Sequence, residues 1–551
     1  MCSKFAIWLL QLFVALLVHS SPACVSSAPS YPVGTPSLLD ISISEITQLL
    51  NEGKITSRTL VDLYTQRTKE VNEELHAVIE LDPDASAIAV KLDEERAQGH
   101  VRGPLHGIPL LVKDNIATLG GTATGSGSTC LADAQPKRDS TVVERLRKAG
   151  AIILGKTNLS EFAGARGVNT LEGWSARGSQ TFAAYIEHQT PCGSSSGSGV
   201  AASLGLAAGT LGTDTAGSIT CPAAYSNVVG IKPTVGLTSR TGTVPVTRRQ
   251  DTIGPLVQDV ATGALILQII AGEDATDNYT LAQPWASPPN YLASLNKSAL
   301  KGKRIGVTFT EELVGVLDPE IARPVFDAAV FDLEKAGAVI VPVPLGTGGF
   351  ALDDLHTWIY GNISAFVFSD YQDNMAAYLN DTVPGTAGIR TFKDLYECLQ
   401  HNSAEQYPLY DVDLIAAAVG TNVPADGSVA WNGYVTAIRL AEKVILQPIK
   451  DNNLDALVTT TDVAGFYTAP LGYPVVTVPI GALPEGANTT FDSTGTLARS
   501  GPGLPLGISF VAGRWTEQQL IGYAYAYEQV SLKRRTLTPL IKPTSDLETI
   551  L

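Results

Sequence analysis

The stretch STVVERLRKAGAIILGKT, residues 140–157, reads as an amphipathic helix, a stop at Gly150 and a short buried strand. The segment PEIARPVFDAAVFDLEKAGAVIVPVP, residues 319–344, repeats that grammar with Gly337 as its stop. KRIGVTF (303–309) and DALVTTT (455–461) also read as short buried strands. APLGYPVVTVPIG (469–481) and GLPLGISFVAG (503–513) read as strands and turns that complete the same core. Helices alternating with apolar strands predict an α/β layered fold around a largely covered sheet, built as one large domain.

The start of the chain points to a compartment. MCSKFAIWLLQLFVALLV places a lysine before an apolar run, residues 7–18, that only Gln11 interrupts. A run of about 12 residues is too short to span a hydrocarbon core of roughly 30 Å, so it reads as a secretory signal peptide and not as a membrane anchor. The expected leader is 1–23, with cleavage between Ser20 and Ala28, followed by a soluble domain over 35–545 that has no membrane contact after processing. Six sequons begin at Asn158, Asn278, Asn296, Asn362, Asn380 and Asn488. All but Asn158, which follows the apolar run AIIL, fit a secreted glycoprotein.

Charge excludes one class of partner. With 38 basic and 54 acidic residues the net charge is −16, which repels phosphate backbones and argues against nucleic acid. Four cysteines, Cys130, Cys192, Cys221 and Cys398, lie well beyond the leader, and their spacing leaves the pairing open. No C-x-x-C or H-E-x-x-H is present, so neither a metal nor another cofactor is expected.

Three motifs compete for the chemistry. Gly150 to Thr157 formally matches the phosphate-loop pattern G-x-x-x-x-G-K-T, but a helix precedes it and bulky residues fill it, the reverse of what that loop requires. Gly193-Ser194-Ser195-Ser196-Gly197 satisfies G-x-S-x-G, which would make Ser195 the nucleophile of an α/β-hydrolase-like esterase, with His356 or His401 as base. VAASLGLAAG (200–209) is expected to be helical behind it. The third possibility combines PLHGIPLLVKDN (104–115), CGSSSGSGV (192–200) and GTDTAGSITCPA (212–223), which supply Lys113, a cluster of hydroxyls and Ser218.

These last segments resemble the amidase signature family. The resemblance runs through GPLHGIPLLVKDN, LGKTNLSEF (154–162), PCGSSSGSG, GTDTAGSITCPA, the block 230–256 and GLPLGISFVAGRWTEQQL (503–520). It implies a single domain with a mixed central sheet covered by helices on both faces, and an enzyme that hydrolyses amide C–N bonds of small molecules. It also implies roles. Lys113 would be the base, Ser194 the bridging serine on a cis peptide, and Ser218 the acyl-forming nucleophile. The 24 positions between Ser194 and Ser218 match the family pattern. Backbone N–H groups of Thr215, Ala216, Gly217 and Ser218 would hold the oxyanion, with Ser194 also at the substrate. Ser196, Ala216 and Thr220 depart from the family pattern, Thr220 standing where many relatives carry arginine. A homodimer is a compatible assembly, and a catalytically silent binding glycoprotein is the other reading of the same fold. Relatives that transfer ammonia to charged tRNA fit poorly with secretion and acidity.

A Ser–Ser–Lys relay needs a neutral amine, whereas free lysine titrates near 10.4. Burial away from carboxylates is therefore expected for Lys113, with its neighbour Asp114 on the opposite strand face. Asp214 reads as a turn-holding acceptor and Lys232 as a rival base. The aromatic-rich segment 350–434, including Trp358 and Tyr360, is expected to line or cover the acyl pocket.

Overall fold

Short apolar runs buried on both faces form the strands, and their order in space differs from their order in sequence. The computed structural model describes residues 37–309, 318–346, 352–549 and 551; the expected leader, 1–23, and the start of the expected domain lie outside them. Eleven strands make one sheet: β1 (Val78–Leu81), β2 (Pro109–Lys113), β3 (Ile152–Thr157), β4 (Thr210–Asp214), β5 (Val229–Lys232), β6 (Thr252–Val257), β7 (Arg304–Val307), β8 (Val339–Pro342), β9 (Ala456–Thr460), β10 (Val475–Ala482) and β11 (Pro505–Val511). Their order is β1-β3-β2-β4-β6-β5-β10-β11-β9-β7-β8. The sheet is mixed: β3, β2 and β4 run parallel, as do β9, β7 and β8, and antiparallel pairs join the two groups. The described residues, from 37 on, form one compact unit, and among them no helix is long and apolar enough to cross a membrane.

Six of the helices are α1 (Thr141–Lys148), α2 (Ser196–Ser203), α3 (Thr220–Tyr225), α4 (Pro319–Lys335), α5 (Leu352–Asn380) and α6 (Val429–Asp451). In α1, Ser140 caps the first turn through Val143 N–H, and Val142, Val143 and Leu146 face the core. Gly150 then turns at φ +91°, where an added Cβ would meet His106 Cα at 2.6 Å, so no larger residue fits. The 319–344 repeat forms α4 and β8 as expected, but β8 is half exposed because it is the outermost strand.

One expectation is corrected. The helix expected over 200–209 begins earlier and stops at Ser203, since Leu204 caps it and Gly205 turns at φ +57°. The following residues run into β4, with Ala208 N–H donating to Pro109 O (3.1 Å). A main apolar cluster joins the sheet to its flanking helices, and a second packs Ile359, Ile363 and Val367 of α5 against Ala437, Ala441 and Val444 of α6. Disulfides link Cys130 to Cys398 and Cys192 to Cys221.

Candidate active site

Lys113 is the last residue of β2, an interior strand buried along its whole length. Its side chain is fully buried, and Nζ lies within hydrogen-bond reach of Ser194 Oγ (2.7 Å), Thr213 Oγ1 (2.9 Å) and Ser195 Oγ (3.0 Å), with Thr213 O at 3.4 Å. No carboxylate is among these partners. Burial therefore pushes the amine down to about 7, against weaker opposing fields from Asp214 and Asp251. Asp114 points the other way, as alternation along a strand requires, and pairs with Arg177 at 2.8 Å.

Ser194 follows a cis peptide at Gly193, and its carbonyl accepts from Ser160 N–H (3.1 Å). Ser195 comes next, at the entry to α2. That helix is wholly buried, and Gly197 is required in it because a Cβ there would lie 2.1 Å from Ala77 O. The strand β4 brings Thr213 to Lys113 and then ends in a tight turn. Asp214 closes this turn by accepting from Gly217 N–H (2.9 Å) and Ile219 N–H (2.7 Å), which makes it an anchor of the loop. Ser218 sits beyond, its carbonyl accepting from Ser195 N–H (3.2 Å). The Cys192–Cys221 disulfide ties the Ser194 loop to α3, which follows Ser218. Among the described residues no hydrogen bond joins Ser194 Oγ to Ser218 Oγ; the two serines are 3 % and 8 % exposed.

Ser218, Thr215 and Ala216 open into a cavity of about 180 Å³. Its far wall comes from α5, through Tyr360, Ile363, Val367 and Phe368, and from Leu414 and Phe466. Tyr360 thus lines the pocket, whereas Trp358 is 42 % exposed and does not. Gly217 is absent from the lining, and its N–H is already committed to Asp214. A larger cavity of about 240 Å³, with Arg240 and Lys137 in its wall, holds none of Lys113, Ser194 and Ser218.

The arrangement sets a buried amine and a group of serine and threonine hydroxyls beside an open pocket. The sequence pattern of the family described as Amidase matches residues 59–410. This chain belongs to the amidase family. An amidase-family relative from Arthroderma benhamiae is 40% identical over 504 residues, covering 91% of this chain and 83% of the relative. The solved peptide amidase of Stenotrophomonas maltophilia superposes with a TM-score of 0.80 at 37% identity, covering 91% of this chain and 98% of that one. An amidase family protein from Bacillus anthracis gives 0.78 at 29% identity, covering 92% and 93%. The chain is accordingly an amidase, acting on amide C–N bonds.

Within this amidase the competing motifs lose their chemistry. The Ser195 hydroxyl donates to Thr213 O (3.0 Å) and accepts from Lys113 and from Thr213 N–H, so its proton is committed inside the fold. Ser195 is fully buried and lines no part of the pocket, which removes the esterase reading. His356 stacks on Phe466 at 3.8 Å, and His401 Nδ1 lies 2.7 Å from Glu397 O. Lys156 lies inside β3, where its Nζ meets Ile116 O and two threonine hydroxyls. Lys232 Nζ donates to Tyr473 O (2.6 Å), away from both serines. Thr213, Gln250 and Asp251 join the site without belonging to any of the three motifs' candidate residues. Gln250 Nε2 donates to Thr215 O (3.1 Å), while Asp251 Oδ1 accepts from Thr215 Oγ1 (2.7 Å). The position of Thr213, on the strand that leads into the Ser218 turn, was the available signal for that residue; for the other two there was only their place in the block 230–256.

Proposed function

We propose that this amidase works through a seryl acyl-enzyme, with Lys113 as base, Ser194 as relay and Ser218 as nucleophile. The observation that carries this reading is the buried Lys113 amine, 2.7 Å from Ser194 Oγ and without a carboxylate partner. Neutral Lys113 takes a proton from Ser194 as Ser194 takes one from Ser218, and Ser218 Oγ bonds to the amide carbonyl carbon. The backbone N–H groups of Thr215, Ala216 and Ser218 receive the oxyanion, each such donor contributing about 3–4 kcal/mol. Gly217 supports the turn through Asp214 instead. The proton returns through Ser194 to the leaving nitrogen, the C–N bond breaks, and ammonia or an amine departs. Water, deprotonated along the same path, then cleaves the acyl ester and releases the carboxylic acid. The name of the solved peptide amidase supports peptide-derived amides as substrates.

A fluorophosphonate probe tests the nucleophile. Labelling of the native protein, lost in Ser218→Ala and kept in Ser195→Ala, is the expected result. Undiminished labelling of Ser218→Ala would refute it. The compartment belongs to the same proposal. The leader 1–23, the exposed sequon residues Asn278, Asn296, Asn380 and Asn488, and two disulfides support a secreted glycoprotein. Asn158 is fully buried, its amide donating to several backbone carbonyls, and stays unmodified. Recovery of the full-length chain from the medium, with a mass that falls on enzymatic removal of N-glycans, tests secretion.

A further inference from the structure

The Ala216 N–H is the free end of a peptide unit whose other end is tied down. Ala216 is exposed in the lining of the pocket beside Ser218, and among the described residues its N–H has no acceptor. The carbonyl of the same unit, Thr215 O, accepts from Gln250 Nε2 at 3.1 Å. A trans peptide unit is planar, with C=O and N–H pointing in opposite directions, so a bond that fixes the carbonyl also fixes the N–H. The next N–H along, that of Gly217, is turned inward to Asp214 (2.9 Å).

Strand register explains why two adjacent residues reach Thr215. In the antiparallel pair of β4 and β6, Asp214 lies opposite Thr252, so the next positions outward, Thr215 and Asp251, face each other. Asp251 Oδ1 accepts from Thr215 Oγ1 (2.7 Å), and Oδ2 accepts from Val246 N–H (2.8 Å) and Thr247 N–H (2.9 Å). The carboxylate thus ties Thr215 to the 246–247 backbone, and Asp251 N–H closes that turn on Thr247 O (3.0 Å). Gln250 sits inside the closed turn, which delivers its amide to Thr215 O. Gln250 and Asp251 are 3 % and 8 % exposed, and bonds made this far from water hold a backbone more firmly than exposed ones.

We propose that Gln250 and Asp251 are positioning residues for the chemical step: by holding Thr215 at its carbonyl and its hydroxyl, they aim the Ala216 N–H at the oxyanion. Their effect falls on the transition state, where negative charge develops on the carbonyl oxygen, and not on the uncharged amide that enters the pocket. This rests on Ser218 being the nucleophile and on the Ala216 N–H being an oxyanion donor.

The rate of fluorophosphonate labelling of the full chain tests this, because the phosphoryl oxygen takes the oxyanion position as Ser218 Oγ bonds to phosphorus and fluoride leaves. The time course gives a rate constant and an end point. The end point counts folded protein, so a variant that merely unfolds loses end point and keeps its rate constant. At pH 9, well above the value of about 7 at which Lys113 titrates, the amine is neutral in every variant and the charge of Asp251 does not enter. Gln250→Met keeps the length of the side chain and loses the donor; it should slow labelling about 10²-fold, the effect of a misplacement of about 1 Å. Asp251→Ala should slow it comparably. Asp251→Asn should recover at least about a tenth of the wild-type rate, since its Nδ2 can donate to Thr215 Oγ1 while Oδ1 accepts from Val246 and Thr247. A Gln250→Met rate constant within about threefold of wild type would overturn the proposal, as would equal losses in Asp251→Ala and Asp251→Asn. If one of the two positions does not tolerate substitution, the other decides. Failure of the underlying reading looks different. Ser218→Ala would then label like wild type, or Ala216→Pro, which removes the N–H itself, would keep the wild-type rate. A slow Ala216→Pro beside a fast Gln250→Met sinks only the positioning role.

Discussion

Replacing Lys113 with methionine separates the stability of a buried amine from its chemistry. Burial brings the folded-state amine to about 7, while the unfolded chain keeps the ordinary value of 10.5. Between those two values the unfolded state holds a proton that the folded state lacks, so wild-type stability rises with pH across this window. Below about 7 both states are protonated and the full burial penalty applies. At about 1.36 kcal/mol per pH unit, the two titration curves give a penalty of about 5 kcal/mol at pH 6 and about 2 kcal/mol at pH 9. Methionine keeps an unbranched chain and removes the charge. The rearrangement of Ser194, Ser195 and Thr213 around it is the same at every pH and cancels from the trend. Wild type should therefore gain about 3 kcal/mol on Lys113→Met between pH 6 and pH 9. Equilibrium urea unfolding of both proteins at four pH values measures this. Parallel profiles would show that the amine stays charged in the fold and would remove the base from the mechanism. Turnover reports the same group independently. The neutral fraction of an amine titrating at about 7 rises about tenfold from pH 6 to pH 8, and wild-type kcat/KM should follow it.

Three other outcomes follow from the site and its supports. Ser194→Ala should lower kcat/KM by about 10²–10³, whereas Ser195→Ala, whose proton already serves Thr213 O, should stay within about tenfold of wild type; steady-state ammonia release distinguishes them, and equal losses would contradict the assignment. Arg166 is fully buried between Glu161 and Glu405, with its Nη1 2.6 Å from Glu405 Oε2, so Arg166→Met leaves two buried carboxylates facing each other. A loss of about 3–5 kcal/mol is expected by urea unfolding, and a loss below about 1 kcal/mol would refute it. Opening the Cys192–Cys221 bridge by double substitution with alanine frees a closure with a sequence separation of 29 and should lower stability by about 3.5 kcal/mol. Wild-type stability in that variant would show that the bridge constrains nothing.

Local grammar was legible in the chain because it depends on near neighbours. The helix, Gly150 and strand of 140–157 follow from apolar spacing and one positive φ, and they form where the pattern places them. The helix expected over 200–209 failed for the complementary reason. Leu204 to Gly209 have helical composition, but Gly205 and the bond from Ala208 to Pro109 O turn them into β4. Disulfide partners and sheet order were illegible, since both are set by contacts between distant segments.

The residue types of the site were present in the sequence by themselves: a lysine closing an apolar strand, a hydroxyl cluster, and a serine behind a small-residue turn. Their meeting was decided only by tertiary structure, which sets β2 beside β4 and the Ser194–Ser195 pair against both. The state of Lys113 is likewise a property of the fold, because an amine loses its charge when water is removed and no carboxylate replaces it, and both conditions come from the segments packed around β2. The hold on Thr215 has the same origin: Gln250 and Asp251 are neighbours in the sequence, and only the pairing of β4 with β6 brings them to its carbonyl and its hydroxyl.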